Sequence, residues 1–294
     1  MNILLTGVNG QVGWELRRTL ATLGTVSAPT RSQLNLTDVD AIRSIIRSLR
    51  PDLIVNPAAH TAVDKAESEP ELARAVNAIA PAIMAEEAAK LGAAMIHYAT
   101  DYVFDGNQPG AYTEDDTTHP LGVYGRTKLE GENAIRAVGI PHLILRTSWV
   151  YGLRGGNFLR TMQHLFKERD QLRIVADQYG APTWSRMIAE ATAQILAQQP
   201  FAPGKAALHG TYNLTSRGRA SWYQFAQAIL DRTIQPGAKR PELIPIPSTD
   251  YPTPAQRPAN SVLAGDKLLR NFGLALPDWE VALELCLDHP GKET

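Results

Sequence analysis

Disulfide bonding and membrane passage are what this sequence sets aside first. Its one cysteine, Cys286, has no intrachain partner, and neither an apolar run of membrane length nor a charged-then-apolar leader appears. The expectation is a reduced, cytoplasmic protein. Charge of one sign is also lacking: 29 Lys and Arg against 30 Asp and Glu leave a formal net charge of -1. That argues against a general nucleic-acid or anionic-membrane partner, while a local basic pocket stays open. There is no internal repeat and no low-complexity tract. His60 has no other His, Cys or carboxylate at a metal-ligand spacing, so no metal site is predicted. The 294 residues are enough to bury a large core, as one large or two small domains.

What is present begins at the first residues. Ile3 to Leu5 is a continuous apolar run of the kind found in strands buried on both faces, and Val12, Leu16, Leu20 and Leu23 recur at helical spacing. Between them stands Thr6-Gly7-x-x-Gly10-x-x-Gly13, a strand-turn-helix with separable glycine duties. Gly7 makes the tight turn, Gly10 lets a pyrophosphate approach the backbone, and Gly13 lets the helix lie close to the strand. The positive end of the helix dipole then faces an anion. The spacing has one more residue between the first two glycines than plain GxGxxG, and its place between strand and helix points to a dinucleotide.

Strand-like and helical stretches alternate through the first half, which predicts crossover units and a parallel sheet. Further strands are read at Thr25 to Ala28, Leu53 to Asn56, Ala93 to Tyr98 and His142 to Arg146. Helices are read after Thr37 or Asp38 as far as Leu49, from Pro70 to Leu91 with Pro81 bending or splitting it, and from Tyr124 to Ala137. The fold class is α/β, a doubly wound parallel sheet, with ligands beyond the carboxyl ends of its strands. After Trp149 the pattern loosens, and twelve of the 20 prolines follow Arg146. Helices near Phe158 to Glu168, Arg186 to Gln198 and Trp222 to Asp231 remain. The reading is a dinucleotide-binding domain over 1–148 and a smaller, loop-rich substrate lobe over 149–294, some of whose segments return to the sheet.

Four places carry candidate chemistry. Tyr124 and Lys128 stand one helical turn apart, so the ammonium would lower the phenol pKa toward neutral and reach the cofactor ribose. Thr100, at the end of the fourth strand, is either a second donor to a substrate carbonyl or the hydroxyl of a Thr-Asp turn. Asn56-Pro-Ala-Ala-His60-Thr61, past the third strand, could line the cofactor with small residues. At the end of the second strand no acid precedes Asp38, and Arg31 is placed for a 2′-phosphate, which favours NADPH with NADH possible.

Together these pieces resemble the extended short-chain dehydrogenase/reductase superfamily, with its glycine turn and its Thr, Tyr and Lys set. Longer stretches narrow the resemblance. Asn56 to Glu67, Thr100 to Gly106, Arg146-Thr-Ser-Trp-Val-Tyr-Gly152, Asp177-Gln-Tyr-Gly-Ala-Pro-Thr183 and Arg257-Pro-Ala-Asn-Ser261 are similar to the dTDP-4-dehydrorhamnose reductase family. The resemblance implies that Thr100, Tyr124 and Lys128 carry catalysis, and that Gly10, Gln11, Val12, Asn35, Leu36, Ala59, His60 and Thr61 touch the cofactor. It also implies that Asp101 and Trp149 touch a dTDP-linked 4-keto-6-deoxy sugar. Arg257 is the candidate for the sugar nucleotide's diphosphate. Asn35 departs from the acid common near the adenine. Nucleotide-sugar dehydratases share the turn and the Tyr/Lys pair, but here Asp101 is followed by Tyr102 and not by a second acid. Regulatory subunits of methionine adenosyltransferase resemble the same fold without its turnover, and the complete Thr, Tyr and Lys set favours an enzyme. Monomer and homodimer are both open.

Overall fold

A computed structural model describes residues 1–234, 237 and 239–288. The first half runs β1 (Asn2–Leu5), α1 (Gln11–Thr19), β2 (Thr25–Ser27), α2 (Val39–Leu49), β3 (Leu53–Asn56), α3 (Val63–Ser68), α4 (Pro70–Arg74), α5 (Ala80–Leu91), β4 (Ala94–Thr100), α6 (Val123–Val138) and β5 (His142–Thr147). After it come β6 (Val150–Tyr151), α7 (Phe158–Glu168), β7 (Gln171–Val175), β8 (Tyr179–Gly180), β9 (Thr183–Trp184), α8 (Ser185–Ala197), β10 (Gly210–Asn213), β11 (Ala220–Ser221), α9 (Trp222–Thr233), β12 (Glu242–Ile246), α10 (Asp266–Phe272) and α11 (Trp279–Leu287).

The main sheet has six parallel strands in the order β10-β5-β4-β3-β1-β2. Because side chains alternate across a strand, Ile3 and Leu5 face one helical layer and Leu4 the other. Leu16 of α1 and Leu20 just after it, Ile188 and Ile195 of α8 and Leu268 and Phe272 of α10 fill the first side; Ile42 and Ile46 of α2, Met84 and Ala88 of α5 and Ile135 of α6 fill the second. Asp38, not Thr37, caps α2, accepting the Ala41 N–H at 2.9 Å. The strand read as ending at Tyr98 continues through Thr100, which is paired with Thr147 of β5.

The stretch from Pro70 to Leu91 is split, as its proline suggested. A wide turn of π-helix over 75–79 separates α4 from α5, and Pro81 follows it. Proline has no N–H for the Asn77 carbonyl. That carbonyl instead faces α6 at Gly131, where an added Cβ would lie 2.2 Å from it.

The sixth strand, β10, is absent from the sequence reading. It comes from far along the chain and pairs with β5, Tyr212 opposite Leu145. In the second half α7, α9 and α11 close around Leu159, Phe166, Phe225, Ile229, Trp279 and Leu283, beside the parallel pair β7 and β12. No helix of the described residues is long and apolar enough to cross a membrane.

Candidate active site

A cavity of about 880 Å³ runs along the carboxyl ends of β1, β3 and β4, within the size range of small-molecule sites. Its floor is the glycine turn. Gly7 has φ +59°, and a Cβ there would lie 2.9 Å from the Ala58 backbone, so conformation and space both demand glycine. The Gly10 N–H donates to the Gly7 carbonyl at 2.9 Å. Gly10 caps α1 without a side-chain hydrogen bond, no acid lies in the first turn, and Gly10, Gln11 and Val12 line the cavity. This leaves the amide end of α1 facing the cavity, a cradle that fits the pyrophosphate of a dinucleotide. Gly13 is placed differently. It is buried and does not line the cavity; a Cβ on it would sit 2.1 Å from the Gly7 oxygen, so it lets the helix pack on the turn itself.

Arg31, Asn35 and Leu36 line the cavity past β2. Arg31 is exposed and makes no hydrogen bond or ion pair with the described residues, so its guanidinium is available to a ligand. Asn35 is engaged locally, its Oδ1 accepting the Thr37 N–H at 3.1 Å. On the β3 side stand Ala59, His60 and Thr61. The His60 backbone is fixed by Asn77, whose Oδ1 accepts its N–H at 2.8 Å, and its ring Nε2 lies 3.1 Å from Glu69. Its Nδ1 is buried with no partner among the described residues.

Thr100, Tyr124 and Lys128 meet on the cavity wall. Thr100 ends β4, and α6 has begun by Tyr124, which puts Tyr124 and Lys128 on one helix face. The Thr100 hydroxyl donates to Asp101 Oδ1 at 3.0 Å and accepts the Tyr102 N–H at 3.2 Å. Here one expectation is corrected. Burial pushes the Tyr124 phenol well above its usual value, with Thr100 opposing, and lysine does not bring it toward neutral. The reason is where the amine points: Lys128 Nζ donates to the Tyr98 carbonyl at 2.6 Å and lies 3.2 Å from His97 Nε2. Burial lowers Lys128 itself to about 8, against the pull of Glu132.

Asp101 is buried and pushed up to about 6 by that burial, with Ser261, Ser148 and Thr100 holding it down. Ser148 donates to its Oδ2 at 2.9 Å. Arg257 lines the cavity but is committed on two sides, to Asp64 at 2.7 Å and to the Tyr102 hydroxyl at 3.0 Å. Tyr102 in turn meets Tyr124 edge-on, with ring centroids 5.5 Å apart. Trp149 holds an unusual φ of +45° and lies flat on Trp222, centroids 3.5 Å apart and planes 3° from parallel. Gly180 permits this, since a Cβ on it would enter the Trp149 ring.

Trp222 lines the cavity and was not singled out from sequence, where it appeared only as the start of an amphipathic helix. Asn157 was also missed. Its amide donates to Gln11 Oε1 at 2.9 Å and to the Gly152 carbonyl at 2.8 Å, tying the glycine turn to the next loop. The Gly155-Gly156-Asn157 run was its only local signal.

With this geometry established, the chain can be set beside known proteins. A family model described as the RmlD substrate binding domain matches residues 1–291. A dTDP-4-dehydrorhamnose reductase of Burkholderia thailandensis is 47% identical over 294 residues, covering 98% of each chain. A crystal structure of a dTDP-4-dehydrorhamnose reductase from Clostridium acetobutylicum superposes with a TM-score of 0.91 at 36% identity, covering 98% of this chain and 99% of that one. One from Bacillus anthracis, in complex with NADP, gives 0.87 at 31% identity, covering 97% and 98%. Agreement of this order over both lengths makes the earlier resemblance a finding: the chain belongs to the dTDP-4-dehydrorhamnose reductase family.

Proposed function

We propose that the protein reduces the 4-keto group of dTDP-4-dehydro-L-rhamnose to give dTDP-L-rhamnose, using NADPH. The observation that carries this is the meeting of Thr100, Tyr124 and Lys128 on the wall of the cavity whose floor is the glycine cradle. The cofactor supplies the hydride. The remaining work falls to side chains. Tyr124, kept protonated by burial, gives its proton to the oxygen of the reacting carbonyl. Thr100 orients the same oxygen by turning its one O–H to it from Asp101, and two donors aimed at one developing alkoxide are what such a reduction needs. Lys128, on the same wall, would hold the cofactor ribose.

Gly7, Gly10, Gln11 and Val12 hold the pyrophosphate, and Gly13 serves by letting α1 seat against the turn. Arg31 takes the 2′-phosphate, Asn35 and Leu36 the adenine side, and Ala59, His60 and Thr61 the opposite wall. Asp101 and Trp149 face the sugar nucleotide, with Arg257 directed to its diphosphate. On this reading residues 1–148 chiefly bind the cofactor, and 149–294 mainly bind substrate while lending α8, β10 and α10 to the sheet.

A purely regulatory role would leave the meeting of Thr100, Tyr124 and Lys128 on the cavity wall without a purpose. The test is incubation with NADPH and a panel of nucleotide-linked keto sugars, following loss of NADPH and identifying products. Oxidation with the dTDP-linked 4-keto sugar and formation of the 4-hydroxy product is the expected result. NADPH binding without turnover of any member would overturn the reading.

A further inference from the structure

His97 lies in the interior of β4 with no solvent exposure. A buried imidazole is costly unless its nitrogens are satisfied, and here both are. Nδ1 is 3.1 Å from Asn56 Nδ2 and Nε2 is 3.2 Å from Lys128 Nζ. Asn56, its register partner on β3, accepts from the Thr6 hydroxyl at 2.5 Å. All four side chains are buried, so a polar line passes beneath the cavity from the end of β1 through β3 and β4 to α6.

Neutral imidazole carries one N–H, so an ammonium at Lys128 admits one direction of the line, while a neutral amine also admits the reverse, which the placement of Asn56 Nδ2 against His97 Nδ1 favours. With Lys128 as a neutral amine, Thr6 donates to Asn56 Oδ1, Asn56 Nδ2 donates to His97 Nδ1, and His97 Nε2–H donates to Nζ. The heavy-atom placement of Thr6, Asn56 and His97 fits this arrangement. With Lys128 as an ammonium, Nε2 must accept, so the His97 proton sits on Nδ1 and Asn56 turns its oxygen to His97 and its amide nitrogen to Thr6. An ammonium has three N–H groups. The Tyr98 carbonyl takes one and His97 the second, which leaves the third for the cavity that Lys128 lines.

We propose that His97 is a positioning residue for Lys128, its tautomer held by Asn56 and Thr6, so that the lysine's charge and the direction of this hydrogen-bond line switch together. Other charge near the line comes from α6 and from the turn after β4. Glu132 favours the ammonium and is itself paired with Arg146 and Arg136. Tyr124, one turn before Lys128, is neutral, and Asp101 is held by Ser148 and Thr100. His97 stays uncharged, since burial and Lys128 both oppose a second proton.

The proposal rests on reading Lys128 as the cofactor-side lysine, and its first test needs no turnover. In the full chain labelled with ¹⁵N-histidine, the His97 ring is followed by NMR as pH is raised, with His97→Gln giving the assignment. The expected result is a change from the Nδ1–H to the Nε2–H tautomer, centred near the lysine's value of about 8 and abolished in Lys128→Met. A single tautomer throughout in the wild type, or the same change in Lys128→Met, would overturn it. In turnover, His97→Leu removes an acceptor from the ammonium and should move the alkaline limb of kcat to lower pH by roughly one unit, the scale of one charge-assisted hydrogen bond. His97→Gln, which keeps an acceptor oxygen, should restore part of the displacement. An unmoved limb in folded His97→Leu would leave His97 with a packing role alone.

Discussion

Thr100→Val preserves shape and deletes the hydroxyl around which the site is knotted. Two partners lose it at once: the Tyr102 N–H and the Asp101 carboxylate. Thr100 is 4% exposed, so the backbone N–H of Tyr102 is poorly placed to exchange it for bulk water. An orphaned buried N–H costs about 1–3 kcal/mol, and stability should fall by that order. Asp101, already at about 6, loses one of the bonds that hold it down and should rise further. Turnover loses a donor to the forming alkoxide, worth about 2.7–4 kcal/mol, or roughly 100- to 1000-fold in kcat. Thr100→Ser is the control. It keeps the hydroxyl and gives up one methyl, about 1 kcal/mol of packing, so its kcat should stay within about tenfold of wild type. Thermal unfolding, NADPH titration and steady-state rates on the three proteins separate the contributions. A Val variant turning over like wild type, or a Ser variant as impaired as Val, would refute a donor role for this hydroxyl.

Tyr124→Phe should cut kcat by about 100-fold or more while NADPH affinity stays nearly unchanged, and a folded Phe variant with normal turnover would remove Tyr124 from the mechanism. Arg31→Ala should weaken NADPH binding, leave NADH binding almost alone and flatten the salt dependence of their ratio, because an exposed guanidinium–phosphate pair is screened by salt. Equal losses for both cofactors in titrations at two salt concentrations would count against it. Glu87, buried on α5 beneath Arg43, Arg47 and Lys90, is held down to about 2, chiefly by its hydrogen bond from Arg47. A carboxylate depressed in the folded state contributes stability above its unfolded value of 4.5, and that contribution is lost as pH falls from there to about 2. The full difference would be roughly 3 kcal/mol, reduced to about 1–2 because the cationic heads are largely in water. Urea unfolding at pH 7 and pH 3 should show this slope in wild type and lose it in Glu87→Gln, and an equal slope in both would reject it.

The parts of this fold legible in the sequence are those whose causes are local. Continuous apolar runs marked β1, β3 and β5, and the Gly7 turn declared itself because its backbone geometry is written in residue type. Thr100, Tyr124 and Lys128 could be brought together because parallel topology sends every strand's carboxyl end to one edge. Gly210-Thr-Tyr-Asn213 gave no such sign: it is four residues long, and α10 and β5 supply its burial from elsewhere in the chain. Arg257 and Asp64 are 193 residues apart, so the ion pair that occupies Arg257 has no trace in either neighbourhood. The spacing of Tyr124 and Lys128 established their adjacency, but not that the lysine nitrogen would turn to a strand carbonyl and a buried histidine.

The late origin of β10 bears on how the chain is made. On the ribosome the first five strands emerge before their sixth, and until Gly210 to Asn213 follow, β5 is a sheet margin with unpaired amides and carbonyls. At about 5–20 residues per second that interval lasts several seconds, long enough for a nascent edge to meet another chain. The helices α8 and α10, which cover the same face, arrive in the same window or after it. A chain stopped after Thr147 should therefore collect in aggregates where the full chain stays in solution, and the six-stranded sheet is complete only once Gly210 to Asn213 have been synthesised.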